Sequence, residues 1–549
     1  MKTLCDYLKN SSDRYPKAEA VRHKGRSITY AELNKKSDAL AATMREGGVR
    51  AGDRIAIWLN KSIEGIVAIY ATLKCGAGYV PLDPTAPVAR ASYILRDCTP
   101  ASLVTDQERL GLLDSATLRE VAPRLIVLTD AETTGHAVEG EVGDTVVAAW
   151  PEALARDTST CSDGWGIKEV DQLAYILYTS GSTGVPKGVM LSHRNACAFV
   201  EWVNRCFALS RDDRLSSHAP FHFDLSILDL FGAASAAATV VLVPESQQGL
   251  GFALNRLVTD EEISIWYSVP TALVRMVEAK NSSVLRQSRL RTVLFAGEVF
   301  PVKYLRRLHA AVPHAALYNL YGPTETNVCT FHHVTVEDLA EDRTLPPPIG
   351  RTCPYATTFL LDDEGWLVAP REGAEGELCV GGDSVMLGYW GDQQKTERRM
   401  VEYPDEIGVD GIAYRTGDIV RHDLDLNYVF VGRRDDMVKV RGHRIDLGEI
   451  EATLLGHPDV AETACVIVSK EALDARLEAY VVGDPRTELT EPELRTHCRK
   501  VLPPYMLPEK IHLVRELPRT STGKIDRQEL VNRTCAMLEE RETSPAQTV

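Results

Sequence analysis

A chain of 549 residues, 44% of them hydrophobic, exceeds the size at which one core stops growing, so two or three domains are expected. Its formal net charge of -16 excludes a dedicated binder of nucleic acid or of an anionic membrane, and no run approaches the ~20 apolar residues of a membrane span. An anionic ligand must therefore meet a local cluster of donors.

In chain order, the opening MKTLCDYLKN has no long apolar segment behind its lysine, so it is not a secretory signal and a cytoplasmic location is expected. Residues 62–76, SIEGIVAIYATLKCG, read as an apolar helix stopped by glycine, and YVPLDP follows as a short strand ending at Pro84. Residues 106–164 read as a long polar insert, its Ser/Thr/Asp-rich part at 156–163 a loop. Residues 173–178, LAYILY, suit a buried strand. Helical and strand patterns alternate along most of the chain, which favours an α/β architecture. The twelve cysteines show no CxxC pair or metal-like spacing and read as reduced and structural; His332 and His333 read as ordinary surface or core residues.

The strand at 173–178 runs into TSGSTGVPKG, residues 179–188. Gly181, Gly184 and Gly188 free the backbone to approach a ligand; Ser180, Ser182 and Thr183 offer hydroxyls, and Lys187 adds a cation, so a phosphate guest is predicted. The spacing is not that of a Walker loop, since Pro186 precedes the lysine and Gly188 follows it. Taken alone, such a segment also serves as a plain turn. Four later segments extend the pattern: YGPTETN at 321–327, YRTGD at 414–418, GRRDD at 432–436 and RTSTGKIDR at 519–527. With the loop they would supply phosphate donors, a purine platform, a metal carboxylate, a ribose acceptor and a mobile cation. The composition changes near Asp435, which divides the chain into 1–434 and 435–549. Glu449 and Glu451 read as the solvated acidic entry of a helix, and residues 539–549 as a disordered tail.

These five segments, in this order, make the chain resemble the adenylate-forming superfamily of acyl-CoA synthetases, firefly luciferase and nonribosomal peptide synthetase adenylation domains. The likeness runs from ITYAEL at 28–33 and LKCGAGYVPLDP at 73–84 through GELCVGG at 376–382 to STGKIDR. It implies a large N-terminal domain of mixed sheets with packed helices and a small mobile α+β C-terminal domain, hinged at Asp435. It also implies use of ATP and Mg²⁺ to make an acyl adenylate, which a thiol then intercepts. By motif, Thr179 to Gly184 and Lys187 would embrace the β- and γ-phosphates. Gly297, Glu298, Asn319 and Tyr321 would hold the adenine side, Thr324 the α-phosphate, Glu325 the metal, and Asp418 with Arg433 the ribose. Lys524 would be the catalytic bridge between the attacking carboxylate and the α-phosphate. Lys439 and Gly442 would border the path of the thiol.

The FDxS motif in HAPFHFDLSILDLF, residues 218–231, resembles the amino-acid-activating branch, where the carboxylate at the position of Asp224 pairs with the substrate ammonium. The matching pocket set is Asp224, Leu225, Leu228, Tyr267, Leu294, Ala296, Leu320, Val328, Cys329 and Lys524. Beyond the two charged members it is apolar or weakly polar, which implies a small apolar amino acid. The set resembles that of stand-alone enzymes that load L-proline onto a separate peptidyl carrier protein, often at the start of pyrrole biosynthesis. Free coenzyme A stays open as the competing thiol, and another small apolar amino acid or an acyl or aryl acid as the competing substrate.

Overall fold

The computed structural model describes residues 2–133, 145–156, 169–180, 185–434, 437–440, 442–468, 475–483, 487, 489–519 and 525–543. Gly181, Ser182, Thr183, Gly184, Asp435 and Lys524 lie outside the described residues.

Two large, mostly parallel sheets dominate the first 350 residues or so. In the eight-stranded sheet, Arg54–Trp58, Gly78–Pro81, Ser102–Thr105, Leu125–Leu128, Val146–Ala149 and Leu173–Thr179 pair in parallel, and Lys187–Ser192 and Gly388–Tyr389 close one edge antiparallel. Its strands are apolar on both faces. Ile55, Ile57, Tyr79, Val104 and Tyr175 enter one core, while Ala56, Trp58, Val80, Leu103 and Ile176 enter another. That alternation with no polar face is what a parallel sheet covered on both sides requires. The nine-stranded sheet, which contains Ile265–Ser268, Thr292–Ala296 and Ala316–Tyr321, shares the first of these cores.

Between the sheets runs the helix Ile63–Lys74, with every residue but Glu64 buried, as an all-round apolar helix must be. Ser62 caps it by accepting from Gly65 N, and Gly76, at φ +70°, ends it. An antiparallel six-stranded sheet follows, built on Ala356–Leu361, Glu375–Gly382, Ile412–His422 and Tyr428–Arg433. Beyond it come the hairpin Met437–Val440 and His443–Asp446, a three-stranded sheet, and the helices Leu447–Leu455, Glu491–Arg499 and Arg527–Thr543.

Several expectations are corrected. The strand after the apolar helix ends at Pro81, three residues before Pro84. The described part of the span 106–164 is not an insert: it contributes Leu125–Leu128 and Val146–Ala149 to the eight-stranded sheet, with the short helices Gln107–Leu112 and Ser115–Val121 before them. Its polar appearance reflects those helices. Residues 539–543 continue the last helix rather than starting a tail. Glu449 and Glu451 are not solvated. Glu449 is 2% exposed and paired with Arg90, and Glu451 pairs with Arg527 at 3.0 Å and accepts from Cys465 N at 2.7 Å. Both carboxylates answer to partners distant in sequence, which helix-entry statistics do not see. The described cysteines are free thiols, and all but Cys206 and Cys535 are buried. His332 bonds to Asp338 at 2.6 Å and His333 stacks on Tyr318.

Candidate active site

The C-terminal ends of the parallel strands and the hairpin turn at Gly442 surround one cleft, the place where open α/β sheets put their ligands. Thr179, Ser180, Asp224, Leu225, Tyr267, Ala296, Gly297, Thr324, Val328, Asp418, Arg433 and Gly442, all singled out from the sequence, line it. The hydroxyl of Thr179 is buried there and has no hydrogen-bond partner among the described residues.

Strand register explains the apolar end. Tyr267 lies opposite Leu294 and Leu320 opposite Ala296 on adjacent parallel strands, and Leu294 and Ala296 are two apart on one strand, so all four share one sheet face. Leu225, Leu228, Tyr267, Leu294, Ala296, Leu320 and Val328 form part of a single hydrophobic cluster, and Cys329 belongs to the adjoining one. Leu228, Leu294, Leu320 and Cys329 stand behind the cleft wall, each buried to 1% exposure or less. Burial pushes the Tyr267 phenol well above its ordinary pKa, with the charges of Asp224 and Asp229 adding to it, so the ring stays neutral.

Asp224 sits in a turn closed by its own neighbours. Ser226 donates from Oγ to Phe223 O at 2.7 Å, and Ile227 N donates to Asp224 O at 3.1 Å before the wide turn Leu228–Gly232. The approach to this turn is pinned by Lys61, whose Nζ donates to the carbonyls of Ser217, His218 and Ala219. Burial pulls the Lys61 pKa down to about 8, against the opposing charges of Asp229 and Glu245.

The YGPTETN turn is folded on itself. Thr326 N donates to Pro323 O at 3.0 Å, Cys329 N to Tyr321 O at 2.8 Å, and Asn327 takes a left-handed φ of +53°. This closure aims Glu325 inward, fully buried. Its Oε1 accepts from Lys187 Nζ at 2.9 Å and from Tyr389 Oη at 2.8 Å, and Lys187 also lies 4.4 Å from the Tyr389 ring centroid. Asp418 follows Gly417, which is at φ +76°. One oxygen of Asp418 accepts from Tyr321 Oη, and the other from Arg433 Nη1 at 2.6 Å.

Two expected cleft residues are otherwise engaged. The amide of Asn319 donates to Pro348 O at 2.8 Å, and Glu298 accepts from both the backbone and the hydroxyl of Thr271, at 3.0 and 2.7 Å. Tyr321, Glu325 and Lys187 stand behind the lining rather than in it. Sequence reasoning gave no role to Phe223, the first residue of FDxS, and missed Tyr389, Lys61 and a group at the cleft mouth comprising Arg90, His443 and Tyr505. The run LGYW carries Tyr389 just after GELCVGG, a legible signal; nothing local marks the others. A second cavity of about 430 Å³ opens beside the cleft and shares Val269, Gly442, His443 and Tyr505 with it.

Comparison with known proteins agrees with this geometry. Residues 8–390 match the family model described as AMP-binding enzyme, and residues 449–524 the AMP-binding enzyme C-terminal domain. An L-proline–[L-prolyl-carrier protein] ligase of Pseudomonas fluorescens is 41% identical over 96% of this chain and 98% of its own. One of the same name from Streptomyces coelicolor is 39% identical over 93% of this chain and 94% of its own. A solved NRPS protein containing adenylation and PCP domains, bound to a vinylsulfonamide inhibitor, superposes with a TM-score of 0.78 at 25% identity. It covers 97% of this chain, which spans 84% of it.

Proposed function

The chain belongs to the AMP-binding enzyme family, and we propose that within it the protein activates L-proline with ATP and passes the prolyl group to the phosphopantetheine thiol of a separate peptidyl carrier protein. The observation that carries the reading is Asp224, a carboxylate set beside the apolar wall of Leu225, Tyr267, Ala296 and Val328. A carboxylate ~4 Å from a substrate ammonium gains about 4 kcal/mol at an effective dielectric near 20 before desolvation is subtracted, so a cationic guest is favoured. Proline's secondary ammonium brings two N–H donors and its ring a compact apolar body. The near full-length likeness to two proline ligases supports the same choice.

In the first step a carboxylate oxygen of proline attacks the α-phosphorus of ATP, the bond to the β-phosphate oxygen breaks, and pyrophosphate leaves. The protein's task is to align the two reactants and hold their charges. We assign Asp224 to the ammonium, Thr179, Ser180 and the 181–184 loop to the β- and γ-phosphates, and Thr324 to the α-phosphate. Asp418, oriented by Tyr321 and Arg433, accepts from the ribose hydroxyls, and Gly297 lets the nucleotide lie against the backbone. Lys524 is assigned to the bridge between carboxylate and α-phosphate. In the second step the thiol sulfur attacks the acyl carbon, and AMP leaves with the electron pair of the broken C–O bond. The 430 Å³ cavity beside Gly442 is assigned to the pantetheine arm, with residues 435–549 acting as the mobile unit and Asp435 as its hinge.

Mg²⁺ fits the residues present: Glu325 offers a carboxylate held in place by Lys187 and Tyr389, and this ion takes one or two carboxylates and completes its shell with phosphate oxygens and water. When bound it would screen charge on the phosphate oxygens. Among the described residues no helix is long and apolar enough to cross a membrane, and a cytoplasmic location completes the proposal. The test is mass spectrometry of phosphopantetheinylated carrier proteins incubated with enzyme, ATP and proline. A prolyl thioester on one carrier, formed much faster than prolyl-coenzyme A in a parallel reaction, is expected. Prolyl-coenzyme A forming at the higher rate would overturn the choice of acceptor.

A further inference from the structure

Every hydrophobic cluster among the described residues lies wholly on one side of residue 434. Five draw only on residues up to Phe430, and two only on residues from Val440 onward. At the cleft the two units meet through charged and aromatic side chains instead. Arg90, on the helix Val88–Cys98, donates from Nη1 to Oε1 of Glu449, on the helix Leu447–Leu455, and these side chains are 8% and 2% exposed. Within the C-terminal unit His443 stacks on Tyr505, ring centroids 3.7 Å apart and planes 11° from parallel, and it crosses to Phe223 of the N-terminal unit edge to face at 5.2 Å. Gly442, at φ +82°, sits so close that a Cβ there would come within 2.4 Å of Val269 Cγ1.

The chemistry of this contact suits a joint that opens. Apolar surface resists separation because water offers it nothing in return. A buried ion pair differs, because water solvates both charges again once they part. Such a pair therefore selects one arrangement while adding little net stability. Burial is the largest single influence on the Arg90 pKa and lowers it, but the charges of Glu449, Tyr505 and Asp83, together with the hydrogen bond to Glu449, raise it overall, so the guanidinium stays charged.

We propose that the Arg90–Glu449 pair, backed by His443 against Phe223, is a latch that holds the C-terminal unit with its Gly442 turn at the cleft, the arrangement that serves thiol transfer rather than adenylation. Arg90 and Glu449 are on this account positioning residues, and the inference rests on the two-step reading above. Glu449→Gln keeps the shape of the side chain and removes its charge. Its transfer of proline to a phosphopantetheinylated carrier is expected to fall about tenfold, with proline-dependent pyrophosphate exchange unchanged, because the interaction is made in one of the two steps only. The double variant Arg90→Glu, Glu449→Arg restores transfer. A fluorophore pair spanning the two units reports the docked population directly, and this falls in Glu449→Gln and recovers in the double variant. Equal loss of both half-reactions, no rescue by the charge swap, or an unchanged docked population would each overturn the latch. Absence of proline-dependent exchange in the unaltered chain would count against the activity itself, and the fluorophore measurement would still decide the latch.

Discussion

Asp224 stands out in the sequence because a charge in an otherwise apolar list has few structural uses. At an effective dielectric near 20, a pair ~4 Å apart gains about 4 kcal/mol before desolvation. Asp224→Ala is accordingly expected to raise the KM for proline about 100-fold, by leaving the ammonium unpaired in the cleft. Steady-state exchange kinetics measure this, and equal use by the native enzyme of a cyclic acid lacking the nitrogen would contradict the pairing. Roles that depend on distant partners were not legible. The amide of Asn319 is spent on Pro348 O and the carboxylate of Glu298 on Thr271, neither of which lies nearby in the chain. Arg90 and Glu449 are 359 residues apart, and each alone reads as an ordinary surface charge.

Local elements were legible where their signals were complete. The helix Ile63–Lys74 carries a serine cap, an all-apolar body and a stopping glycine, and the strand Leu173–Thr179 reads as a buried run. The strands Leu125–Leu128 and Val146–Ala149 were missed because each is four residues long and lies among polar helices; runs this short do not distinguish periods. The turn carrying Glu325 was found by its composition, and the structure adds why it needs glycine. A Cβ on Gly322 would lie 1.7 Å from Asn327 O, whereas one on Gly365 meets nothing within 4 Å. Gly322→Ala is therefore expected to cost about 3 kcal/mol, through backbone displacement, and to abolish exchange. Gly365→Ala, strained only by its positive φ, should cost about 1 kcal/mol with activity intact. Urea unfolding of the two variants, followed at the first transition, checks the order; equal losses would show that the close approach at Gly322 is not what fixes the turn.

On the scale of the whole molecule, five short motifs scattered between residues 179 and 527 of the sequence were enough to imply one site, and the fold brings described members of the first four to one cleft. The division proposed near residue 434 was read from a change in composition, and the hydrophobic clusters of the described residues keep to one side of it or the other. How the two units meet was not legible, because it is made of single side chains with no common pattern. In the proposed function the apolar cluster behind Asp224 decides the substrate, and the surrounding machinery decides only that ATP is used. The most direct test of that claim is exchange of labelled pyrophosphate into ATP across a panel of acids. L-Proline is predicted to stimulate exchange well above alanine, valine and benzoate. Exchange with proline no greater than with those three would contradict the account.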